Sequence, residues 1–162
     1  MFRSVDQLAY LELLRTVIWF LRHGEAEDGS PDFERPLTPK GERQSRDAGA
    51  TLAALGVEFD LCLSSPRVRA RETARLACEA LGVEVTIEDA LAGGRFDPLE
   101  LAAGLDNVLL VGHEPDFSNA IAELTGGRVD LKKGGVAAVD GRELRVLLRP
   151  KETKLIATVK RA

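Results

Sequence analysis

The chain has two histidines, His23 and His113, and each follows an apolar segment of the sequence. The segment before His23, residues 16–21, is rich in β-branched and aromatic residues and shows no polar alternation. This pattern is typical of a strand that is covered on both faces, as in a parallel sheet. Ligands of open α/β sheets bind at the carboxyl ends of the strands. Because unrelated surface histidines would fall on loops and helix faces without preference, the two positions predict one shared site.

Arginines stand near two of the predicted strand ends. Arg22 precedes His23, and the tip Ser64-Ser65 of another apolar segment leads to Arg69. The whole chain is mildly acidic, with 22 Lys and Arg against 26 Asp and Glu and a net charge of −4. It therefore has no global attraction for nucleic acid or anionic lipid, and any anion must be bound by a local cluster of cations. Without further context, a solvated arginine at a helix start is the alternative interpretation of Arg69.

The elements that must position these residues alternate between strands and helices. Further strands are predicted at residues 60–64, 83–87, 107–111, 136–139 and 144–148, with a last one near residues 155–159. Helices are predicted from Thr38-Pro39 to about residue 55 and at residues 66–81, 98–105 and 116–124. The alternation predicts an α/β fold with a largely parallel sheet, and Asp140-Gly141 predicts a C-terminal β-hairpin.

The length of 162 residues suits one ordinary domain, and the 44% hydrophobic and 30% charged residues are typical of a soluble globular protein. We assign residues 1–15 to an N-terminal extension and residues 16–162 to a single domain. Leu8, Leu11 and Leu14 recur at helical spacing, so the extension forms either a short docked helix or a frayed terminus. No secretory signal or membrane-spanning segment is visible, which predicts a cytoplasmic protein.

The chain contains two cysteines, Cys62 and Cys78. They are too few for a disulfide framework, and their spacing is not that of metal ligands. Cys62 lies in an apolar segment and Cys78 in a helical pattern, so we expect both to be reduced and buried.

Four segments together resemble the histidine phosphatase superfamily, whose fold is phosphoglycerate-mutase-like, and most of all its short SixA-type phosphohistidine phosphatases. They are LRHGEAE at residues 21–27, RPLTPKG at 35–41, SSPRVRARETA at 64–74 and LLVGHEP at 109–115. The tripeptide Arg-His-Gly alone is a weak signal, but the four segments follow the family's order and approximate spacing. The resemblance implies a three-layer fold in which helices flank a mostly parallel central sheet.

The resemblance also implies a role for each residue that matches a family motif. His23 would be the nucleophile that becomes phosphorylated, and His113 would contact the transferring phosphoryl group. Arg22 and Arg69 would bind the phosphate oxygens, which guanidinium groups can do bidentately. Arg35 would line the anion pocket, as in the SixA-type branch.

Two roles stay open in the sequence. Arg35 could instead form an ion pair with Glu34 or Asp32. The carboxylate general acid of the mutases and many broad phosphatases has no convincing match, and Glu88 and Asp89 are the only nearby candidates. Its loss resembles the SixA-type branch and favours phosphohistidine as the substrate, because the P–N bond is labile and the imidazole can leave already protonated.

We therefore expect a metal-independent phosphatase that hydrolyses protein phosphohistidine through a phosphohistidine intermediate on His23. The alternatives are a phosphatase of small phosphate esters or nucleotides and a non-catalytic module that binds a phosphorylated partner. The implied partner is a phosphohistidine-bearing protein or a small phosphorylated substrate, without binding to nucleic acid or a membrane. No cofactor is implied, and we expect a monomer or a weak homodimer.

Overall fold

The structure, a computed structural model, describes residues 6–7 and 16–161 of the chain. Leu8, Leu11 and Leu14, on which the expected N-terminal helix depends, lie outside the described residues. The described residues form three layers, with a sheet between two layers of helices, as predicted.

The central sheet of the described residues has six strands. They are β1 (Val17–Arg22), β2 (Leu61–Ser64), β3 (Val85–Ile87), β4 (Asn107–Gly112), β5 (Val136–Asp140) and β6 (Glu143–Leu148). Their order is β3-β2-β4-β1-β5-β6. The first four of these pair in parallel, whereas β5 is antiparallel to β1 and β6 is antiparallel to β5. Both the mostly parallel sheet and the C-terminal hairpin are therefore confirmed.

Helices cover both faces of this sheet. The described residues contain α1 (Pro39–Ala54), α2 (Val68–Leu81), α3 (Pro98–Leu101), α4 (Asp116–Thr125) and α5 (Pro150–Arg161), with 3₁₀ turns at Asp32–Glu34 and Asp89–Leu91. The Thr38 hydroxyl caps α1 by accepting the Gly41 N–H at 3.0 Å. Gly82, with a φ of 65°, ends α2 in the left-handed conformation. None of the described helices has the length and apolar composition needed to cross a membrane.

Alternate residues of β1 face the two helical layers. Ile18 and Phe20 belong to the core beneath α4, and the rings of Phe20 and Phe117 meet edge to face with centroids 5.2 Å apart. Trp19 and Leu21 belong to the opposite core, beneath α1 and α2. That second core also contains the thiols of both cysteines, which are free and buried. Burial on both faces explains why residues 16–21 show no polar alternation.

The C-terminal element differs most from the sequence prediction, because helix α5 replaces the strand expected near residues 155–159. Thr153 and Ala157 are fully buried, whereas Leu155 and Val159 are 61% and 76% exposed. Burial that recurs after four residues matches the period of a helix and not that of a strand. A 2.8 Å hydrogen bond from a hydroxyl of α1 to the Thr153 carbonyl holds α5 against α1.

Two helices are shorter than predicted. Arg67 has an extended backbone and donates its N–H to the Ser65 hydroxyl at 3.2 Å, so α2 begins at Val68 and not at residue 66. Helix α3 ends at Leu101, before the chain reverses at Gly104, whose φ is 78°.

Candidate functional site

The carboxyl ends of three adjacent parallel strands, β2, β4 and β1, meet at one edge of the sheet. Ser65, His113 and His23 each follow directly after one of these strands. Backbone hydrogen bonds continue past the strand ends. The His23 N–H donates to the Gly112 carbonyl at 3.0 Å, and the Ser65 N–H donates to the Val111 carbonyl at 2.9 Å. The strand order thus brings together residues that are far apart in the sequence.

His23 lies at this edge and is only 6% exposed. Its Nδ1 lies 2.7 Å from the Gly24 carbonyl oxygen, an atom that can only accept a hydrogen bond. Nδ1 therefore carries the proton of the neutral ring, and Nε2 keeps its lone pair. Burial, together with the charges of Arg69 and Arg22, lowers the pKa of His23 to about 4. The ring is neutral near pH 7, and Nε2 is available for nucleophilic attack.

The ring of His113 lies beside that of His23, with 5.2 Å between the two centroids. Its Nε2 is 2.7 Å from the Ser65 hydroxyl oxygen. Because that hydroxyl already accepts the Arg67 N–H at 3.2 Å, we assign its own proton to the bond with Nε2 and the ring proton of His113 to Nδ1. Burial, reinforced by the neighbouring His23 and Arg69, lowers the pKa of His113 to about 3.

The charges of Arg22 and Arg69 both act on this edge of the sheet, since both lower the pKa of His23, and Arg69 also lowers that of His113. Arg69 donates from Nη1 to the Asp32 carbonyl at 2.9 Å and from Nη2 to the Asp32 carboxylate at 3.3 Å. Arg22 donates from Nη1 to the Leu131 carbonyl at 3.0 Å. Burial lowers the pKa of both guanidinium groups, which remain protonated at any physiological pH.

Three unpaired hydrogen-bond donors belong to residues at this edge of the sheet. Among the described residues, the buried side-chain polar atoms without a partner are Arg22 Nε, Arg69 Nε, His113 Nδ1 and Glu152 Oε2. The first three belong to the site, and Glu152 belongs to α5. Leaving a buried donor unpaired costs about 1–3 kcal/mol, and more when the donor is charged. An anion with several acceptor oxygens would satisfy the three donors together, so the site is suited to a tetrahedral oxyanion.

Asp32 links Arg69 to two further arginines. Its carboxylate accepts from Arg35 Nε at 2.9 Å and forms an ion pair with Arg67. Desolvation alone would raise the pKa of Asp32, but Arg69 and Arg35 outweigh it and lower the pKa. Arg35 also donates to the Glu27 carbonyl at 3.2 Å. Arg35 therefore pairs with Asp32, one of the two local alternatives, and reaches the site only through that carboxylate.

A close backbone contact fixes the turn that follows His23. A Cβ atom on Gly24 would lie 2.5 Å from the Gly41 carbonyl oxygen, a distance that side chains do not tolerate. The Gly24 N–H donates to the Thr73 hydroxyl at 3.0 Å, and this hydroxyl donates to the Arg69 carbonyl at 2.7 Å. Thr73 thus connects the turn that follows His23 with the helix that carries Arg69. Sequence reasoning missed it, because the only signal was its position one helical turn after Arg69.

Glu88 and Asp89 are not brought into the site. Glu88 accepts the Ala90 N–H at 3.0 Å and so caps a 3₁₀ turn, and Asp89 is exposed. No contact of the described residues joins either carboxylate to the site's histidines or arginines. Within the same part of the chain, no group of three or more His, Cys, Asp or Glu side chains could hold a metal ion.

Comparison with known proteins finds similar sequences and similar folds. Residues 18–124 match the model of the histidine phosphatase superfamily (branch 1). An uncharacterised protein of Picosynechococcus sp. is 37% identical over 144 residues, which cover 80% of this chain and 87% of the relative. The structure of the protein histidine phosphatase SixA complexed with tungstate is similar at 25% identity and a TM-score of 0.75, covering 85% of this chain and 99% of that one. The α-ribazole phosphatase of Shigella flexneri shares the fold at 23% identity and a TM-score of 0.70, covering 83% and 97% of the two chains.

Proposed function

This chain belongs to the histidine phosphatase superfamily, and on that basis we propose that it hydrolyses protein phosphohistidine through a covalent intermediate on His23. Family membership and the SixA-like fold support phosphatase activity in general. The observation that carries the proposed phosphoryl transfer is the set of three unpaired, buried donors at the same site as a histidine whose Nε2 is free.

The first part of the proposal concerns binding of the phosphoryl group. The Nε–H groups of Arg22 and Arg69 and the Nδ1–H of His113 would donate to its oxygens. These donors are held in place before the substrate arrives, Arg69 by Asp32 and His113 by Ser65. Donors that need no reorganisation stabilise the charge of the transition state more than that of the ground state.

The second part concerns transfer to the enzyme. The Nε2 lone pair of His23 attacks phosphorus, a P–N bond forms, and the substrate's own P–N bond breaks. The leaving imidazole takes the electron pair of that bond and already carries a proton on its other nitrogen, so it departs as neutral imidazole. The Gly24 carbonyl stabilises the positive charge on phosphorylated His23 by accepting from Nδ1 at 2.7 Å.

Water completes the cycle. Its oxygen attacks phosphorus, the P–Nε2 bond breaks, and the electron pair returns to His23. The protons of the water remain on the inorganic phosphate or pass to solvent. No step needs a strong general acid, which suits a site that Glu88 and Asp89 do not reach.

A second candidate function is hydrolysis of a small phosphate ester, which the fold shared with the α-ribazole phosphatase favours. An ester leaving group departs as an alkoxide and needs a proton in the transition state. General acid catalysis is worth about 10²–10⁴-fold in such reactions. Among the described residues, Asp32 is the carboxylate that contacts Arg69, and its arginine partners lower its pKa, so it is ionised and poorly suited to donate a proton. Together with the lack of a contact from Glu88 or Asp89, this favours phosphohistidine over alkyl esters.

The test compares hydrolysis of a phosphohistidine peptide with that of a panel of alkyl and aryl phosphate esters. We expect the highest kcat/KM on the phosphohistidine peptide and no hydrolysis by the His23→Ala variant. With ³²P-labelled substrate, the label should be trapped on wild-type protein in an acid-labile, base-stable bond, as expected for phosphohistidine. The Arg75→Gln variant is a matched surface control, because Arg75 lies on α2 and pairs only with exposed glutamates.

Three results would contradict the proposal. Full activity of the His23→Ala variant would exclude His23 as the nucleophile. A kcat/KM on an alkyl ester that exceeds the value on phosphohistidine would assign the site to small-molecule substrates instead. Tight binding of the phosphopeptide without any turnover would indicate a non-catalytic module.

A further inference from the structure

A strongly basic cavity of about 480 Å³ adjoins the phosphate-binding residues, and we call it the basic groove. Its cationic lining consists of Arg22, Lys40, Lys132, Lys133, Arg149 and Lys151. Among the described residues, Glu25 is the only acidic one that lines it. Such a concentration of positive charge is unexpected in a chain whose net charge is −4. A cavity lined by one sign of charge raises the local concentration of ligands of the opposite sign.

The basic groove borders the candidate active site at Arg22. Arg22 lines the groove and also carries one of the unpaired donors. The turn that carries the groove's two adjacent lysines is fastened to the site, because the Gly134 N–H donates to the carbonyls of Arg22 and His23 at 3.0 and 3.1 Å. The charge of Lys133 contributes to the low pKa of His23. A ligand whose phosphoryl group lies on His23 therefore has the groove beside it.

Much of the groove's charge is not neutralised by the protein. Lys132 pairs with Asp130 at 2.6 Å, and Arg149 pairs with Glu152 at 2.8 Å. In the described part of the chain, no carboxylate forms a salt bridge with Lys40, Lys133 or Lys151. All three lysines are exposed.

The placement of two of these lysines costs stability. Lys40 lies in the first turn of α1 and Lys151 in the first turn of α5. The positive end of the helix dipole disfavours a cation there, where anions are normally found. An anion bound between the two helix ends would reverse that penalty, because both the ammonium groups and the dipoles would attract it.

On the basis of the proposed function, we propose that the basic groove binds carboxylates of an acidic segment that flanks the phosphohistidine in the substrate protein. The free cations are lysines on flexible stems that come from three separate segments, which suits several dispersed carboxylates. A compact second phosphate is more often bound by bidentate arginine forks. Nucleic acid is disfavoured, because none of the described residues that line the groove is aromatic and could stack on bases.

The experiment uses two phosphohistidine peptides of equal length, one with Asp and Glu around the phosphohistidine and the other with Asn and Gln. We expect kcat/KM to be about tenfold higher for the acidic peptide, mainly through a lower KM, as two surface ion pairs would give. Raising the ionic strength from about 0.01 M to 1 M shortens the Debye length from about 30 Å to 3 Å and should abolish the preference.

The double variant Lys40→Gln/Lys151→Gln should lose the preference for the acidic peptide. Arg75→Gln/Arg145→Gln is the matched control, since it removes the same charge from α2 and from the opposite end of the sheet. The control should keep the full preference. Equal rates on the two peptides, or a preference that survives in the double variant, would overturn the proposal. An equal loss in the control would also overturn it, because the effect would then come from net charge and not from the groove.

Failure of the proposed function gives a different result from failure of the groove. If neither peptide is hydrolysed, the proposed function is wrong, and fluorescence anisotropy of the same peptides decides about the groove. If the wild type binds the acidic peptide more tightly and the double variant does not, the proposed role of the groove is supported. Equal binding of the two peptides by the wild type overturns it. A third result would assign the groove to a small-molecule ligand and overturn the proposal of a protein partner. In that case a small bisphosphate competes with the peptides, the double variant loses this competition, and the acidic peptide is not preferred.

Discussion

The imidazoles of His23 and His113 lie with their centroids 5.2 Å apart. The Gly24 carbonyl keeps the proton of His23 on Nδ1, and we assign the proton of His113 to its Nδ1 as well. For His23 this leaves a lone pair on Nε2. For His113 it leaves an unpaired N–H at Nδ1. At one site, His23 can therefore attack or accept through Nε2, whereas His113 can donate from Nδ1. The difference arises from their hydrogen-bond partners, the Gly24 carbonyl and the Ser65 hydroxyl.

Both histidines should titrate at unusually low pH. The pKa is about 4 for His23 and about 3 for His113, against an ordinary value of 6.5. Because protonation occurs as the pH falls through the pKa, each ring should stay neutral from pH 7 down to about its own lowered value. An NMR titration of the free protein measures both midpoints, and His23→Gln and His113→Gln assign the signals. A midpoint near 6.5 for either ring would contradict the burial and cationic surroundings described above.

A tetrahedral oxyanion should stabilise the folded protein by occupying the unpaired donors. At a tungstate concentration 100-fold above Kd, the expected gain in the free energy of unfolding is about 2.7 kcal/mol. For a chain of this size, the melting temperature should rise by about 5–10 °C. Arg69→Gln should lose this response at the same concentration, whereas Arg75→Gln should keep it. An unchanged response in Arg69→Gln would show that the anion binds elsewhere.

The histidines and their arginine neighbours could be located from the sequence because local patterns determine where buried strands end. The hydrogen bonds between Asp32 and Arg69 could not be predicted from the sequence, since they depend on a loop that packs against the start of α2. The same limit applies to the basic groove, where Lys40, Lys133 and Lys151 come from separate segments. No local sequence pattern predicts these contacts, because each of these residues alone is typical of a solvated surface.

Helix α5 shows a different limit. Leu155, Ile156 and Val159 form an apolar, partly β-branched segment that favours a strand by composition. In the structure Leu155 and Val159 are exposed, and the small residue Ala157 is buried instead. Packing against α1 therefore overrides the strand preference of this composition. No local sequence pattern indicates that α1 is the packing partner.

The two carboxylates suggested by the sequence should not act as general acids. Glu88 caps a 3₁₀ turn through the Ala90 N–H, and Asp89 is exposed beside it. We expect Glu88→Gln and Asp89→Asn to keep kcat/KM on phosphohistidine within about twofold of wild type, since general acid catalysis would be worth 10²-fold or more. Steady-state kinetics on phosphohistidine and on an aryl phosphate measures this. A loss of about 100-fold in either variant would restore the general-acid role.

Replacing Gly24 should damage both stability and catalysis. The Cβ of Gly24→Ala would lie 2.5 Å from a backbone oxygen, so the turn or the start of α1 must move. Overpacking of this kind costs about 1–3 kcal/mol. The Gly24 carbonyl holds Nδ1 of His23, and a shift of about 1 Å in a reacting group can lower the rate about 10²-fold. Urea unfolding and kcat at a temperature where the variant is folded measure the two effects.

Gly49→Ala is the matched control, because its Cβ would lie 2.2 Å from the Ala77 carbonyl oxygen, where α1 packs against α2. The clash is of the same kind but involves no hydrogen bond to His23. We expect a comparable loss of stability, while kcat per folded molecule stays within about twofold of wild type. If both variants lose kcat equally, Gly24 serves only the packing of the fold, and the position of the His23 ring does not depend on the close contact between Gly24 and Gly41.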